Sequence, residues 1–357
     1  MWNVWELTRS VRERAAASGL TVIDLGQGTP TDPTPAFVQE ALAAAADAPG
    51  YPPAHGTVAV REAYSDWVHR RWGAALDPTD VVATVGSKEF IATLPWLAGL
   101  RAGDLVVIPE LAYPTYRAGA LAAGCHVVAA DSLTSLGPQR PAILWLNTPG
   151  NPTGRVLPTE HLAKVVAWAR HRGTLVVSDE CYIELTDPGV AAPSILSPEV
   201  SGGSYEGLLA VHSLSKRSSM AGYRCGFVAG DPQVVARLLK RRRDMGLIVP
   251  GPVQAAATAA LSDDAHVAAA RQAYAGRRAL LTDALGAAGF RVDDSRAGLF
   301  VWATRDEPES ETTGWLADRG IVGAPGSFYG PTGARHVRLS LTATDPELLE
   351  AARRLDA

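Results

Sequence analysis

Residues 212–226 read HSLSKRSSMAGYRCG and directly follow the apolar run Leu209–His212. A short apolar run bounded by turn residues is typical of a buried strand. Lys216 stands a few residues beyond this strand, and Ser213 and Arg224 flank it as candidate phosphate ligands. A lysine that reacts with a carbonyl group must be partly deprotonated, and neighbouring cations or desolvation favour the neutral amine. The stretch therefore predicts a reactive lysine at the carboxyl end of a strand.

Further apolar runs of strand length alternate with segments of helical period. The other predicted strands are Val81–Val85, Leu105–Ile108, His126–Ala129, Ala142–Leu146, Leu175–Ser178 and Cys225–Ala229, and predicted helices between them include Phe90–Leu100, Tyr116–Ala123 and Glu160–His171. This alternation indicates an α/β fold with a mostly parallel, seven-stranded sheet covered on both faces. Ligands of such sheets bind outside the carboxyl ends of the strands, so residues directly after each strand are candidate site residues.

The pattern changes after about Pro250. Ala-rich helical stretches are followed by short strands and a final helix, namely Gln254–Leu261, Val267–Ala288, Gly298–Ala303, Ile321–Val322, His336–Leu341 and a helix from Pro346. We expect a large domain over residues 36–265 and a smaller C-terminal α/β domain over residues 266–357. An N-terminal segment, residues 1–35, is expected to pack with the smaller domain.

The composition excludes several classes of partner. The 357 residues carry 33 basic and 37 acidic side chains, a formal net charge of −4, which favours neither nucleic acid nor a membrane. The basic run Lys240–Arg243 is interpreted as a solvated helix face. Three scattered cysteines without histidines at metal-ligand spacing predict no disulfide framework and no metal site. Because residues 1–6 lack the pattern of a secretory leader, we expect a cytoplasmic protein.

Two segments place polar side chains just after predicted strands. Asn151 lies in NTPGNPTG, residues 147–154, and Asp179 and Tyr182 lie in SDECY, residues 178–182. Taken singly, the first is an ordinary Pro/Gly turn and the second an ordinary helix cap.

Two more segments place polar groups at a helix start and in a strand. Ser87 and Lys88 lie in GSKE, residues 86–89, before a predicted helix whose first amides would attract an anion. An ordinary N-cap fits the same residues. Arg338 lies in HVRLSL, residues 336–341, where an isolated arginine is normally a surface charge but where a guanidinium can also grip a carboxylate.

Together these segments resemble the fold-type I, class I/II aminotransferases, which depend on pyridoxal phosphate. Residues 212–226 match the family signature S-x-S-K-x-x-x-x-x-G-x-R-x-G, and the resemblance runs from about Asp24 to Arg338. It implies that Lys216 carries the cofactor as a Schiff base and acts as general base. Asp179 would then pair with the pyridine nitrogen, and a carboxylate there stabilises the protonated ring that withdraws electrons.

The resemblance also implies how the rest of the cofactor is held. Asn151 and Tyr182 would donate hydrogen bonds to its phenolic oxygen, and Tyr113, in AYPTY, would stack on the ring. The phosphate would be bound by the backbone of Ser87 and Lys88 and by the side chains of Ser213 and Arg224.

On the substrate side, the resemblance assigns Arg338 to the α-carboxylate, with Asn151 and Gly28 of LGQGTP nearby. Tyr51, in YPPAHG, would reach the phosphate of a neighbouring subunit, so a homodimer with shared active sites is expected. The ligand of the distal group is left open, with Arg217 and the partner's loops as candidates.

The closest resemblance within the family is to actinobacterial N-succinyldiaminopimelate aminotransferases of lysine and cell-wall biosynthesis. It implies glutamate as amino donor, 2-oxoglutarate as product and N-succinyl-LL-2,6-diaminopimelate as the other amino acid. The alternatives are a pyridoxal-phosphate-dependent C–S β-lyase, or an aminotransferase of another amino acid, on the same fold.

Overall fold

Two groups of strands organise the protein in the computed structural model, which describes residues 8–356. In chain order the strands are β1 (Ile23–Asp24), β2 (Val81–Thr84), β3 (Leu105–Ile108), β4 (His126–Ala129), β5 (Ile143–Asn147), β6 (Leu175–Asp179), β7 (Leu208–Ser213), β8 (Gly226–Gly230), β9 (Arg291–Asp293), β10 (Phe300–Thr304), β11 (Ile321–Val322), β12 (Ala324–Pro325) and β13 (Val337–Ser340). The helices are α1 (Arg9–Ala17), α2 (Ala36–Ala44), α3 (Val58–Trp72), α4 (Ser87–Leu97), α5 (Thr115–Ala122), α6 (Thr159–Arg172), α7 (Pro198–Ser201), α8 (Leu214–Arg217), α9 (Pro232–Asp244), α10 (Gly251–Ser262), α11 (Ala265–Ala287), α12 (Glu309–Ala317) and α13 (Asp345–Leu355).

The large sheet has the order β2-β8-β7-β6-β5-β3-β4. β8 runs antiparallel to both of its neighbours, and the remaining pairs are parallel. Side chains of β5 alternate between two cores, with Leu144 and Leu146 on one face and Ile143 and Trp145 on the other. Burial on both faces explains why these strands are continuous apolar runs. The predicted mostly parallel, seven-stranded α/β sheet is confirmed.

Two polar residues extend strands beyond their predicted ends. β5 and β6 continue to Asn147 and Asp179, which stand opposite each other in the ladder. The sheet therefore fixes their backbones side by side at its carboxyl edge.

The C-terminal part builds a second, antiparallel sheet of order β12-β13-β10-β9. The N-terminal segment joins this part, because β1 pairs with β11 in parallel and Asp32 forms an ion pair with Arg277 of α11 at 2.7 Å. The division into domains at 36–265 and 266–357 stays a prediction. Residues 1–7 and 357 of the predicted segments, including the start that lacks a leader pattern, lie outside the described residues.

The prediction of a solvated basic face over Lys240–Arg243 is wrong at Arg242. Its side chain is fully buried and pairs through both terminal nitrogens with Glu89, at 2.8 and 3.0 Å. Glu89 is also the third residue of α4, where it accepts a hydrogen bond from the backbone of Val85. The pair thus anchors α9 to the first turn of α4. Between residues 8 and 356, no helix has the length and apolarity to cross a membrane.

Candidate active site

The carboxyl ends of β5, β6 and β7 meet at a cavity of about 690 Å³, which β10 and β13 close from the C-terminal side. All predicted site residues except Tyr51 line it: Gly28, Ser87, Lys88, Tyr113, Asn151, Asp179, Tyr182, Ser213, Lys216, Arg224 and Arg338. Tyr51 lies elsewhere, and its side chain is fully exposed. Residues as far apart in the sequence as Gly28 and Arg338 are therefore brought to one place.

Lys216 lies on the short helix α8, whose start is capped by Ser213 accepting a hydrogen bond from the backbone of Ser215. Its Nζ donates to the carbonyl oxygen of Gly28 at 2.5 Å. Burial lowers the pKa of Lys216 to about 8, and the nearby cations Arg338 and Arg224 push in the same direction. The structure thus supplies the partly deprotonated amine that the sequence predicts.

Asp179 is a buried carboxyl group at the end of β6. Burial raises its pKa, and hydrogen bonds from Cys181 and Tyr116 oppose the rise. The Tyr116 hydroxyl donates to Asp179 Oδ2 at 2.6 Å, and its ring stacks on Trp145 at 4.8 Å between centroids. Sequence reasoning assigned no role to Tyr116, although it is the last residue of the AYPTY motif.

Arg338 is a buried cation whose neighbours leave its charge uncompensated. It donates to Asn151 Oδ1 at 3.0 Å and to the Gly26 carbonyl at 2.8 Å, and its guanidinium lies 3.9 Å from the ring centre of Phe300. In the described part of the chain, no carboxylate lies within ion-pair distance of it. Burying an unpaired charge is costly, so this site is built to receive an anion.

Phe300 also explains why position 28 must be glycine. A Cβ on Gly28 would lie 2.4 Å from the Phe300 ring. The same ring contacts Tyr182 edge-on at 5.6 Å. Burial raises the pKa of Tyr182 well above its usual range, so its hydroxyl remains a donor. Phe300 was missed because a strand phenylalanine gives no signal beyond an ordinary core residue.

A second anion site lies at the start of α4. The first amides of a helix have no intrahelical acceptor, and here they belong to Ser87 and Lys88. Gly86 precedes them with φ +76°, and a Cβ there would lie 2.4 Å from Nη2 of Arg224. The positive φ favours glycine here, and the missing side chain leaves room for the Arg224 guanidinium beside the helix start.

These groups fit pyridoxal phosphate. The helix start, Arg224 and Ser213 suit its phosphate, and the same cavity contains the desolvated amine of Lys216 and the buried carboxyl of Asp179. Tyr113, in contact with Tyr116 at 5.9 Å, contributes an aromatic wall.

Arg217 does not reach the cavity. It is buried, forms an ion pair with Glu184 and donates to the Ala260 carbonyl at 3.0 Å. Its candidacy as the ligand of the distal group is therefore wrong. Its cation is used instead to join α8 to the end of α10.

Comparison with known proteins agrees with this geometry. The chain matches the family model described as aminotransferase class I and II over residues 21–355. It is 55% identical over 352 residues to the probable aminotransferase Rv1178 of Mycobacterium tuberculosis, covering 98% of this chain and 84% of that protein. It is 50% identical over 351 residues to the 4-dedimethylamino-4-oxo-anhydrotetracycline transaminase OxyQ of Streptomyces rimosus, covering 98% of each. The solved structure of a probable N-succinyldiaminopimelate aminotransferase from Thermus thermophilus superposes with a TM-score of 0.90 at 29% identity, covering 99% of each chain.

Proposed function

Since this chain belongs to the class I and II aminotransferase family, whose members depend on pyridoxal phosphate, we propose that it exchanges an amino group between glutamate and a keto acid that carries a second acid group. The acceptor that we favour is the keto acid of N-succinyl-LL-2,6-diaminopimelate, in lysine biosynthesis. The observation that carries the proposal is the buried guanidinium of Arg338, without a carboxylate partner among residues 8–356, in the same cavity as a desolvated lysine.

We assign the cofactor contacts as follows. Lys216 binds it covalently through Nζ, Asp179 faces its ring nitrogen, and Ser87, Lys88, Ser213 and Arg224 hold its phosphate. Asn151 and Tyr182 donate to its phenolic oxygen, and Tyr113 covers the ring. When bound, pyridoxal phosphate withdraws electrons from the substrate and makes its Cα proton acidic.

The chain's own residues then orient the substrate and move the proton. Arg338 grips the α-carboxylate through two nitrogens, which fixes the Cα–H relative to Lys216. The freed Lys216 amine takes that proton at Nζ as general base. It then donates the same proton as general acid later in the transfer. A pKa near 8 leaves an appreciable fraction of the amine neutral at neutral pH.

A second cation supports a diacid substrate. Lys88 is exposed at the mouth of the cavity, and no carboxylate of residues 8–356 lies within ion-pair distance. Its backbone is assigned to the phosphate, and its side chain is free to bind the distal carboxylate of a substrate held by Arg338. The Thermus relative supports a succinylated substrate, because its name gives that activity.

We further propose a cytoplasmic homodimer with shared active sites. Tyr51 is a fully exposed aromatic side chain, as expected if it inserts into the partner's phosphate site. Mixing inactive Tyr51→Ala and Lys216→Ala subunits tests this arrangement. Recovery of activity is expected, because the hybrid contains one site with both native residues, and its absence contradicts shared sites.

The cytoplasmic location is supported by the cysteines. Cys125, Cys181 and Cys225 are unpaired, which suits a reducing compartment.

A half-reaction panel tests the substrate. The enzyme is loaded with glutamate, 2-oxoglutarate is removed, and single keto acids are added while the amino acid formed is measured. Turnover of the succinylated keto acid is expected, with a selective loss for diacids in Lys88→Gln and none in the surface control Lys164→Gln. Turnover of aromatic keto acids alone contradicts the assignment. Release of pyruvate and ammonia from a β-substituted amino acid would instead indicate a lyase.

A large cyclic ketone is the second candidate acceptor. The Streptomyces relative, 50% identical, is named for a 4-oxo-anhydrotetracycline substrate. A ketone of this type belongs in the same panel.

A further inference from the structure

A serine, a histidine and an aspartate form a hydrogen-bonded chain just behind Lys216. Ser218 Oγ lies 2.9 Å from Nε2 of His266, and Nδ1 of His266 lies 2.6 Å from Oδ1 of Asp263. The order matches that of a hydrolytic triad, but Ser218 is only 2% exposed and cannot meet a substrate. The chain of bonds must therefore act on the protein itself.

These hydrogen bonds join the segment that carries the reactive lysine to the helix that leads into the C-terminal part. Ser218 directly follows α8, which carries Lys216, and His266 is the second residue of the long helix α11. Ser219 has φ +51°, a conformation that serine rarely adopts, and its carbonyl accepts a hydrogen bond from Thr34 at 2.7 Å. The segment after Lys216 thus depends on outside contacts for its conformation.

The protonation state of the ring decides whether the contact is favourable. Hydrogen bonds from His266 lower the pKa of Asp263, so this carboxylate only accepts and Nδ1 carries the proton. In the neutral ring Nε2 then accepts from the Ser218 hydroxyl. Protonation turns Nε2 into a donor, so it can no longer accept from the Ser218 hydroxyl. The Ser218 oxygen that the charged ring then faces already accepts from Nη1 of Arg217 at 3.4 Å.

Burial, rather than the net effect of the surrounding charges, opposes the protonation of His266. Burial lowers its pKa, with Arg217 acting in the same direction and Asp263 and Glu184 against it. Glu184 is itself paired with Arg217 and with Arg71 of α3. Phe37 of α2 covers the ring edge-on at 5.5 Å. The ring is therefore held neutral at neutral pH and becomes charged only on acidification.

We propose that His266, held by Asp263, is a positioning residue that fixes Lys216 through Ser218 and releases it when the ring is protonated. This inference rests on the proposed role of Lys216. It predicts an acid-side loss of turnover that belongs to His266, whereas substrate binding, set by Arg338, is unchanged.

The test compares holoenzyme variants across the acid side of the histidine range. His266→Gln keeps an acceptor near the position of Nε2 but cannot titrate, so we expect near-native kcat and no acid-side loss. His266→Phe and Ser218→Ala break the bond, so kcat should fall by about threefold to tenfold, with KM for glutamate within about twofold. His55→Gln is the control, because His55 also has a lowered pKa but its ring bonds to backbone groups of Thr79 and Val81.

Amide hydrogen exchange of residues 214–219 gives a readout independent of turnover. After correction for intrinsic rates, exchange in the native holoenzyme should accelerate on acidification, and in His266→Gln it should not. A wild-type acid-side loss retained in His266→Gln, or abolished in His55→Gln, overturns the proposal. Full activity of Lys216→Ala overturns the proposed function and this inference together, so the two failures are distinguishable.

Discussion

Replacing Tyr116 with phenylalanine removes one atom from the site and leaves the packing in place. The ring of Tyr116 stacks on Trp145 at 4.8 Å, and a phenylalanine keeps that contact. What is lost is the hydroxyl that donates to Asp179 at 2.6 Å. Because this bond favours the ionised carboxyl, its removal leaves burial free to raise the pKa of Asp179 further.

The size of the effect follows from the type of bond. A hydrogen bond to a charged group contributes about 1.5–3 kcal/mol, and each 1.4 kcal/mol is tenfold in a dissociation constant. If Asp179 holds a protonated ring nitrogen, the Kd for pyridoxal phosphate should rise by about tenfold to a hundredfold. The deficit should shrink as the pH is raised, since a higher pH restores the carboxylate.

Titration of the apoprotein with pyridoxal phosphate, followed by visible absorbance, measures this Kd. Tyr64→Phe is the matched control, because Tyr64 is equally buried but bonds to Nδ1 of His212 at 2.7 Å, on the other face of the sheet. The reasoning is refuted if folded Tyr116→Phe binds the cofactor within twofold of wild type, or if Tyr64→Phe weakens binding equally.

Three further substitutions test other buried charges. Lys216→Met should stabilise the apoprotein by up to roughly 3 kcal/mol at neutral pH. The lysine pKa falls from 10.5 to about 8 on folding, so the gain in stability should vanish as the pH rises above 10.5. Urea unfolding at several pH values measures the gain, and a gain that does not change with pH would contradict this. Arg338→Gln should lower kcat/KM for glutamate by at least about thirtyfold with little change in cofactor Kd, and a loss of only twofold in steady-state kinetics would remove Arg338 from the α-carboxylate. Arg242→Met should lower the free energy of unfolding by about 3–5 kcal/mol because it leaves Glu89 without its ion-pair partner. Arg243→Met, at an exposed position, should change it by less than about 0.5 kcal/mol. Equal effects of the two substitutions in thermal unfolding would disprove the burial argument.

The strands of the large sheet could be predicted from the sequence because they are short apolar runs, and the interior ones are buried on both faces. Leu105–Ile108 and His126–Ala129 have the bounds that their composition predicts. The ends of β5 and β6 could not be predicted, since Asn147 and Asp179 are polar and resemble turn residues. Their place in the ladder depends on a neighbouring strand, which a single-strand pattern does not contain.

Charged side chains were harder to place than apolar ones. Arg217 and Arg242 both lie in polar contexts in the sequence, yet both are buried against carboxylates far along the chain, Glu184 and Glu89. The contact of Tyr116 with Asp179 spans 63 residues. Such pairings follow from tertiary packing, so they cannot be predicted from periodicity or local composition.

The buried cations of the protein separate into two kinds. Arg217 and Arg242 have carboxylate partners and hold helices together. Arg338, by contrast, is buried with no carboxylate of residues 8–356 at ion-pair distance, and burial lowers the pKa of Lys216 to about 8. Each costs free energy in the empty protein, and only an anion or a carbonyl compound can offset that cost. The same free energy then appears as affinity, so cofactor and substrate should raise the stability of the folded state. The free-energy cost of burying Arg338 and desolvating Lys216 therefore indicates the kind of ligand that the cavity binds.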